Sequence, residues 1–154
     1  MEDIFSDANA LKPNWMGFNV KEEDKIVGTF IGKRQVKSTY PGKEGKLEWK
    51  YTIKADSGTS HDCDDFGAPI PTPIKINAGE IWNVGKDSID EQMKFIPLGA
   101  KIGIKLVDIV PSQTKGWKPA KIVKVFAQKN PDGSFLMDAD WIAEQEKEAA
   151  LSGE

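Results

Sequence analysis

Residues 47–55 read Leu47-Glu48-Trp49-Lys50-Tyr51-Thr52-Ile53-Lys54-Ala55. Large apolar side chains or alanine fill the odd positions, and charged or polar ones fill the even positions. A period of two is the signature of a β-strand buried on one face, and no helix produces it. Leu47, Trp49, Tyr51, Ile53 and Ala55 are therefore expected to face a core, with Lys50 and Lys54 pointing outward. On the same grounds Trp49 and Tyr51 are core residues rather than ligand contacts.

Working outward, residues 25–36 (KIVGTFIGKRQV) form an earlier strand whose Gly28 and Gly32 mark bulges or a bend. The segment between them, 37–46, is turn-rich and basic. Residues 56–73 read as a long loop, acidic first and proline-rich after. Residues 74–84 form a third strand broken near Gly79. Ile89, Met93 and Ile96 recur at helical spacing within 86–96, and Pro97 and Gly99 stop that short helix. Residues 100–110 and 118–127 give strands four and five, joined by 111–117. After the turn at Asn130-Pro131-Asp132-Gly133, residues 138–151 are helical, with Asp138 and Asp140 near the helix start. Five strands with a helix between the third and fourth predict an all-β chain folded as an OB barrel. An SH3-like barrel is the competing layout, but its helical turn comes late. The expected organisation is an arm over 1–20, the barrel over 21–128 and an acidic tail or helix over 129–154.

Composition narrows the function. The 154 residues carry 21 Lys+Arg against 24 Asp+Glu, a net charge of −3 that argues against indiscriminate polyanion binding. Yet the charge is segregated. Residues 33–54 hold seven bases against two acids, and residues 94–124 hold seven lysines against Asp108 alone. Solvated strand surfaces would give such blocks too, and lysine-rich edges discourage aggregation. On an OB barrel, however, both blocks converge where that architecture binds single strands. Lys37, Tyr40, Lys43 and Lys46 fall in the first loop, Lys115, Trp117 and Lys118 at the second, and Lys50 and Lys54 on the strand between. Tyr40 and Trp117 are the aromatics placed for base stacking, although Trp117 could instead cap the barrel end. Trp82 and Phe30 lie beside glycines and could turn either way, so Trp82 is carried as a second-rank candidate.

Three runs carry a family resemblance: Gly28-Thr29-Phe30-Ile31-Gly32-Lys33-Arg34, Ile81-Trp82-Asn83-Val84-Gly85-Lys86, and Lys118-Pro119-Ala120-Lys121-Ile122-Val123-Lys124-Val125. Over residues 15–128 the chain resembles the small OB-fold single-stranded-DNA-binding proteins of tailed bacteriophages and their prophages. The resemblance implies a DNA replication or recombination accessory protein that coats single strands with little sequence choice. It adds Lys33 and Arg34 as backbone contacts. The 56–73 loop is longer and more acidic than the resemblance suggests.

Other chemistries find little support. One cysteine and one histidine lie together in His61-Asp62-Cys63-Asp64-Asp65, expected to be an exposed acidic loop. Adjacent residues rarely converge on one ion, so no metal site is expected. The spacing of Gly28, Gly32 and Lys33 is not that of a phosphate loop. The chain is expected to be no enzyme and to need no cofactor. Its partners are expected to be single-stranded DNA, with RNA not distinguished, and a protein recognising the acidic tail; a homo-oligomer is left open. The acidic start and the lack of a long apolar run predict a cytoplasmic protein, in a bacterial host if phage-encoded. The rival reading is a non-catalytic protein-interaction adaptor on an OB-like barrel.

Overall fold

The computed structural model describes residues 14–39, 42, 44–113 and 119–151. They form one sheet built from β1 (Asn14–Trp15), β2 (Lys25–Lys37), β3 (Leu47–Ser60), β4 (Ile74–Ile76), β5 (Ile81–Val84), β6 (Lys101–Val110) and β7 (Ala120–Ala127). A 3-10 turn (Asp87–Ile89) leads directly into α1 (Asp90–Met93), and α2 (Ala139–Leu151) ends the described chain. Strand order is β1-β5-β3-β2-β6-β7, with β4 also pairing β3. The fold is all-β, and among the described residues the sheet is open: β5 and β7 do not pair.

The β2–β3 hairpin is the spine. Its register shifts at Val27/Gly28 and again at Phe30/Gly32. Each shift bends the pair, which lets two long strands curl round one core. Gly28 sits where the strands pass closest: a Cβ there would lie 2.2 Å from the Lys54 carbonyl oxygen. The alternation of 47–55 is realised in its inner half. Tyr51, Ile53 and Ala55 are buried, Trp49 is half-buried, and Leu47 at the hairpin tip is exposed. Phe30 packs edge-on against Tyr51, ring centroids 6.0 Å apart, and both join Trp82, Val84, Ile104 and Leu106 in the core.

The 3-10 turn and α1 lie where a closing strand pair would be. Ile89 and Met93 are fully buried, and Asp90 accepts the Tyr51 hydroxyl at 2.7 Å. Gln92 substitutes for a strand. Its amide donates to the Val123 carbonyl at 3.3 Å and accepts the Val125 N–H at 2.8 Å. One side chain thus satisfies two backbone groups on the free edge of β7.

Several expectations are corrected. β3 runs to Ser60 rather than stopping at 55, because Ser57 and Thr59 keep pairing with β2, and 58–60 also pair with β4. The break expected near Gly79 is present, with a positive φ of 86° there, and it divides the third strand into β4 and β5. The helix expected over 86–96 spans only 87–93. Residues 14–19, expected as an arm, supply β1 and the buried Phe18 and Asn19.

His61 is not in an exposed loop. It is 4% exposed, with Nδ1 2.6 Å from Asp24 Oδ1. The other Asp24 oxygen accepts the N–H groups of Asn19 and Val20 at 2.6 and 2.8 Å, and Asn19 in turn bonds the His61 carbonyl and the Lys121 ammonium. A buried charge is tolerated only when its remaining sites are hydrogen-bonded, and Asp24 meets that condition.

Candidate nucleic-acid interface

Alternation along β2 and β3 sorts the basic candidates onto two faces. Arg34 stands opposite Lys50, Gly32 opposite Thr52, and Thr29 opposite Lys54. Since Tyr51 and Ile53 point to the core, Arg34, Lys50 and Lys54 point to the outer face. Lys33 pairs with Tyr51 and Lys37 with Leu47, which puts them on the other side. There the Lys33 ammonium sits 5.4 Å from the Trp49 ring centroid. Lys33 and Arg34, expected to act together, therefore diverge. Lys46 is exposed in the hairpin loop, its carbonyl accepting the Ser38 N–H at 2.8 Å.

Trp82 is corrected to a core residue. It pairs with Ile53 and is 4% exposed, because the turn through Gly79 preserves the inward phase of Ile76. Its indole N–H has no partner among the described residues. Tyr40, Lys43, Lys115, Trp117 and Lys118 lie outside the described residues.

An aromatic that the sequence reading missed takes its place. β1 runs parallel to β5 and sets Trp15 beside Asn83, whose own partner is Thr52. Trp15, Asn83 and Thr52 thus share the outer face. Two side-chain bonds hold this edge: Asn14 donates to the Ile81 carbonyl at 3.0 Å, and Asn83 donates to the Asn14 carbonyl at 3.3 Å. Trp15 stays 42% exposed, enough to leave part of its ring open to solvent. The Lys50 ammonium lies 5.7 Å from its ring centroid and 3.1 Å from Glu48. Lys50 is therefore a braced cation that orients the indole, while Arg34 and Lys54 are the exposed ones on this face.

α2 borders the same face. Asp138 accepts the Trp141 N–H at 2.9 Å, capping the helix, and its other oxygen takes the Thr29 hydroxyl at 2.7 Å and the Lys101 ammonium at 2.9 Å. The Thr29 hydroxyl, the Trp141 amide and Lys101 together hold the Asp138 carboxyl well below the usual carboxylate range. Trp141 lies against Gly99, where any Cβ would meet its ring at 2.3 Å. Between α2 and the sheet runs an open cleft of about 920 Å³, lined by Thr29, Ile31, Lys54, Ile81, Trp141 and Glu144 among others. Its charges are largely matched, with Lys101 bridging Asp138 and Asp56, the latter at 3.0 Å.

Among the described residues no group of His, Cys, Asp and Glu is arranged to hold a metal ion. No described helix is long and apolar enough to cross a membrane. Comparison with known proteins finds no matching family model, no matching curated protein and no matching solved structure.

Proposed function

We propose that this chain is a single-stranded-DNA-binding protein of OB type, gripping the outer face of β2, β3, β5 and β1 through backbone charge and base stacking, without chemistry of its own. The observation that carries the reading is the arrangement of Arg34, Lys50 and Lys54 beside the exposed Trp15 on that one face. Single-strand binding needs cations along a track and a flat ring for bases, and this face offers both. The strand order supports the barrel type. Setting aside β1 and β4, the path β5-β3-β2-β6-β7 with a helix after β5 is that of an OB barrel lacking its closing pair. A role in phage-type replication or recombination follows from the resemblance of the three quoted runs.

The adaptor reading draws on α2, which carries the exposed acids Glu144, Glu146 and Glu148 and ends on the exposed Leu151. One titration separates the two. A labelled oligothymidylate and a duplex of equal length are followed by fluorescence anisotropy at low and high salt. Tighter binding of the single strand, with a log–log salt slope of about −2 to −3.5 for three to five phosphate contacts, is the expected result. Absence of binding at low salt removes the nucleic-acid reading and leaves the adaptor.

A further inference from the structure

The strand register places four lysines in one row across the sheet. Lys75 of β4 pairs with Thr59 of β3, Thr59 with Lys25 of β2, Lys25 with Lys105 of β6, and Lys105 with Lys124 of β7. Every one points outward, since its strand neighbours Ile76, Ile26, Ile104 and Val123 are buried. Four inter-strand steps of about 4.8 Å give a row roughly 19 Å long. Like charges directly opposite one another in a sheet cost stability. Only Lys105 has an ion-pair partner among the described residues, Glu22 at 2.6 Å. Glu22 also acts on Lys25 at longer range, and Lys75 and Lys124 have no ion-pair partner among the described residues.

The adjoining row supplies an apolar surface. Val27, Gly103 and Phe126 stand side by side across β2, β6 and β7. Val27 is 41% and Phe126 53% exposed, and Gly103 leaves a shallow notch between them. Phe126 is two residues from Lys124 on the same face, so an exposed ring sits next to the end of the cationic row.

We infer that this row is a second single-strand track, taking the phosphates of a nucleic-acid strand along Lys75, Lys25, Lys105 and Lys124 with a base against Phe126. The inference rests on the function proposed above and extends it. The first face, bordered by α2, takes a short segment, and the lysine row takes the continuation of a longer one. It is a surface that no single stretch of sequence contains, because its four cations come from four strands.

The test uses the full chain, the double variant K25Q/K124Q and the triple variant K25Q/K105Q/K124Q, the double one leaving the Glu22–Lys105 pair intact. Labelled oligothymidylates of about 6 and about 20 nucleotides, one near the short end of the site sizes of single OB folds and the other beyond their upper limit, are titrated across salt, with melting curves alongside. The native chain should show a steeper salt slope with the long strand. In the variants the long-strand slope should flatten by about 1.4 for the double and about 2.1 for the triple, at about 0.7 per lost contact. Short-strand affinity should stay within about twofold. Equal slopes for both lengths in the native chain, or equal losses for both lengths in the variants, overturn the second track while leaving the first face standing. Failure of the native chain to bind either length overturns the underlying function and the track with it. Displacement of the long strand by polyglutamate as readily as by unlabelled oligonucleotide assigns the row to an acidic protein and likewise overturns it.

Discussion

Replacing Trp15 by leucine should weaken oligothymidylate binding while leaving the fold in place. Stacking of one base on an aromatic ring contributes ~1–3 kcal/mol, so the dissociation constant should rise about 5- to 150-fold. Stability must be followed as well, because Trp15 is 42% exposed and so more than half covered. An aromatic side chain of about 200 Å² with that coverage buries roughly 115 Å², an upper limit of about 3 kcal/mol. Leucine keeps much of this apolar contact and removes only the flat π-face. Trp15→Phe should recover most of the affinity. Because the Lys50 ammonium is braced independently by Glu48 at 3.1 Å, the salt slope should hardly move. Anisotropy titrations at three salt concentrations, with parallel melting, make the measurement. Equal affinity of Trp15→Leu and the native chain at every salt concentration would refute the stacking role of β1.

Arg34→Gln and Lys54→Gln should each flatten the salt slope by about 0.7, whereas Lys33→Gln, on the opposite face, should leave short-strand binding unchanged; titration across salt decides. Asp138→Ala removes a helix cap and two side-chain bonds, and should cost about 1–3 kcal/mol in urea unfolding. The carboxyl of Asp138 is held low by Thr29, Trp141 and Lys101, so its contribution is complete above about pH 4 and is lost as pH falls through its depressed folded value. The native chain should therefore lose stability faster than Asp138→Ala on acidification below pH 4, read by melting at successive pH values. Gln92→Ala strips the partners from Val123 and Val125 at the β7 edge, and should lower stability by about 1–3 kcal/mol and promote concentration-dependent association, measured by melting and light scattering.

Elements whose pattern is local were legible in the sequence. The alternation of 47–55, the bulge-forming glycines of 25–36 and the helix brackets around Ile89 and Met93 all depend on neighbours within a few residues. The outward direction of Lys50 and Lys54 followed from the same alternation. What stayed hidden depends on partners far along the chain. A two-residue strand such as β1 has no period to read, so Trp15 was passed over inside an arm. Ser57 and Thr59 are strand residues because β2 and β4 flank them, although their composition reads as loop. His61 sits in a run of acids, and only Asp24 and Asn19, some forty residues earlier, explain its burial. Lys33 and Arg34 look like one basic pair until strand alternation sends them to opposite faces.

The long-range polar bonds also bear on how the chain reaches this state. Asp24 meets His61 across 37 residues, Asn19 meets Lys121 across 102, and Thr29 meets Asp138 across 109. Closing such distant loops costs entropy before any contact returns it, so folds dominated by these pairings assemble slowly. The hairpin of β2 and β3 can form early from its own short loop. The polar knot at Asp24 and the clamp at Asp138 must wait for β7 and the start of α2. During synthesis the cleft along the outer face is therefore complete only once residues near 141 have emerged, and until then Lys101 lacks one of its two carboxylate partners.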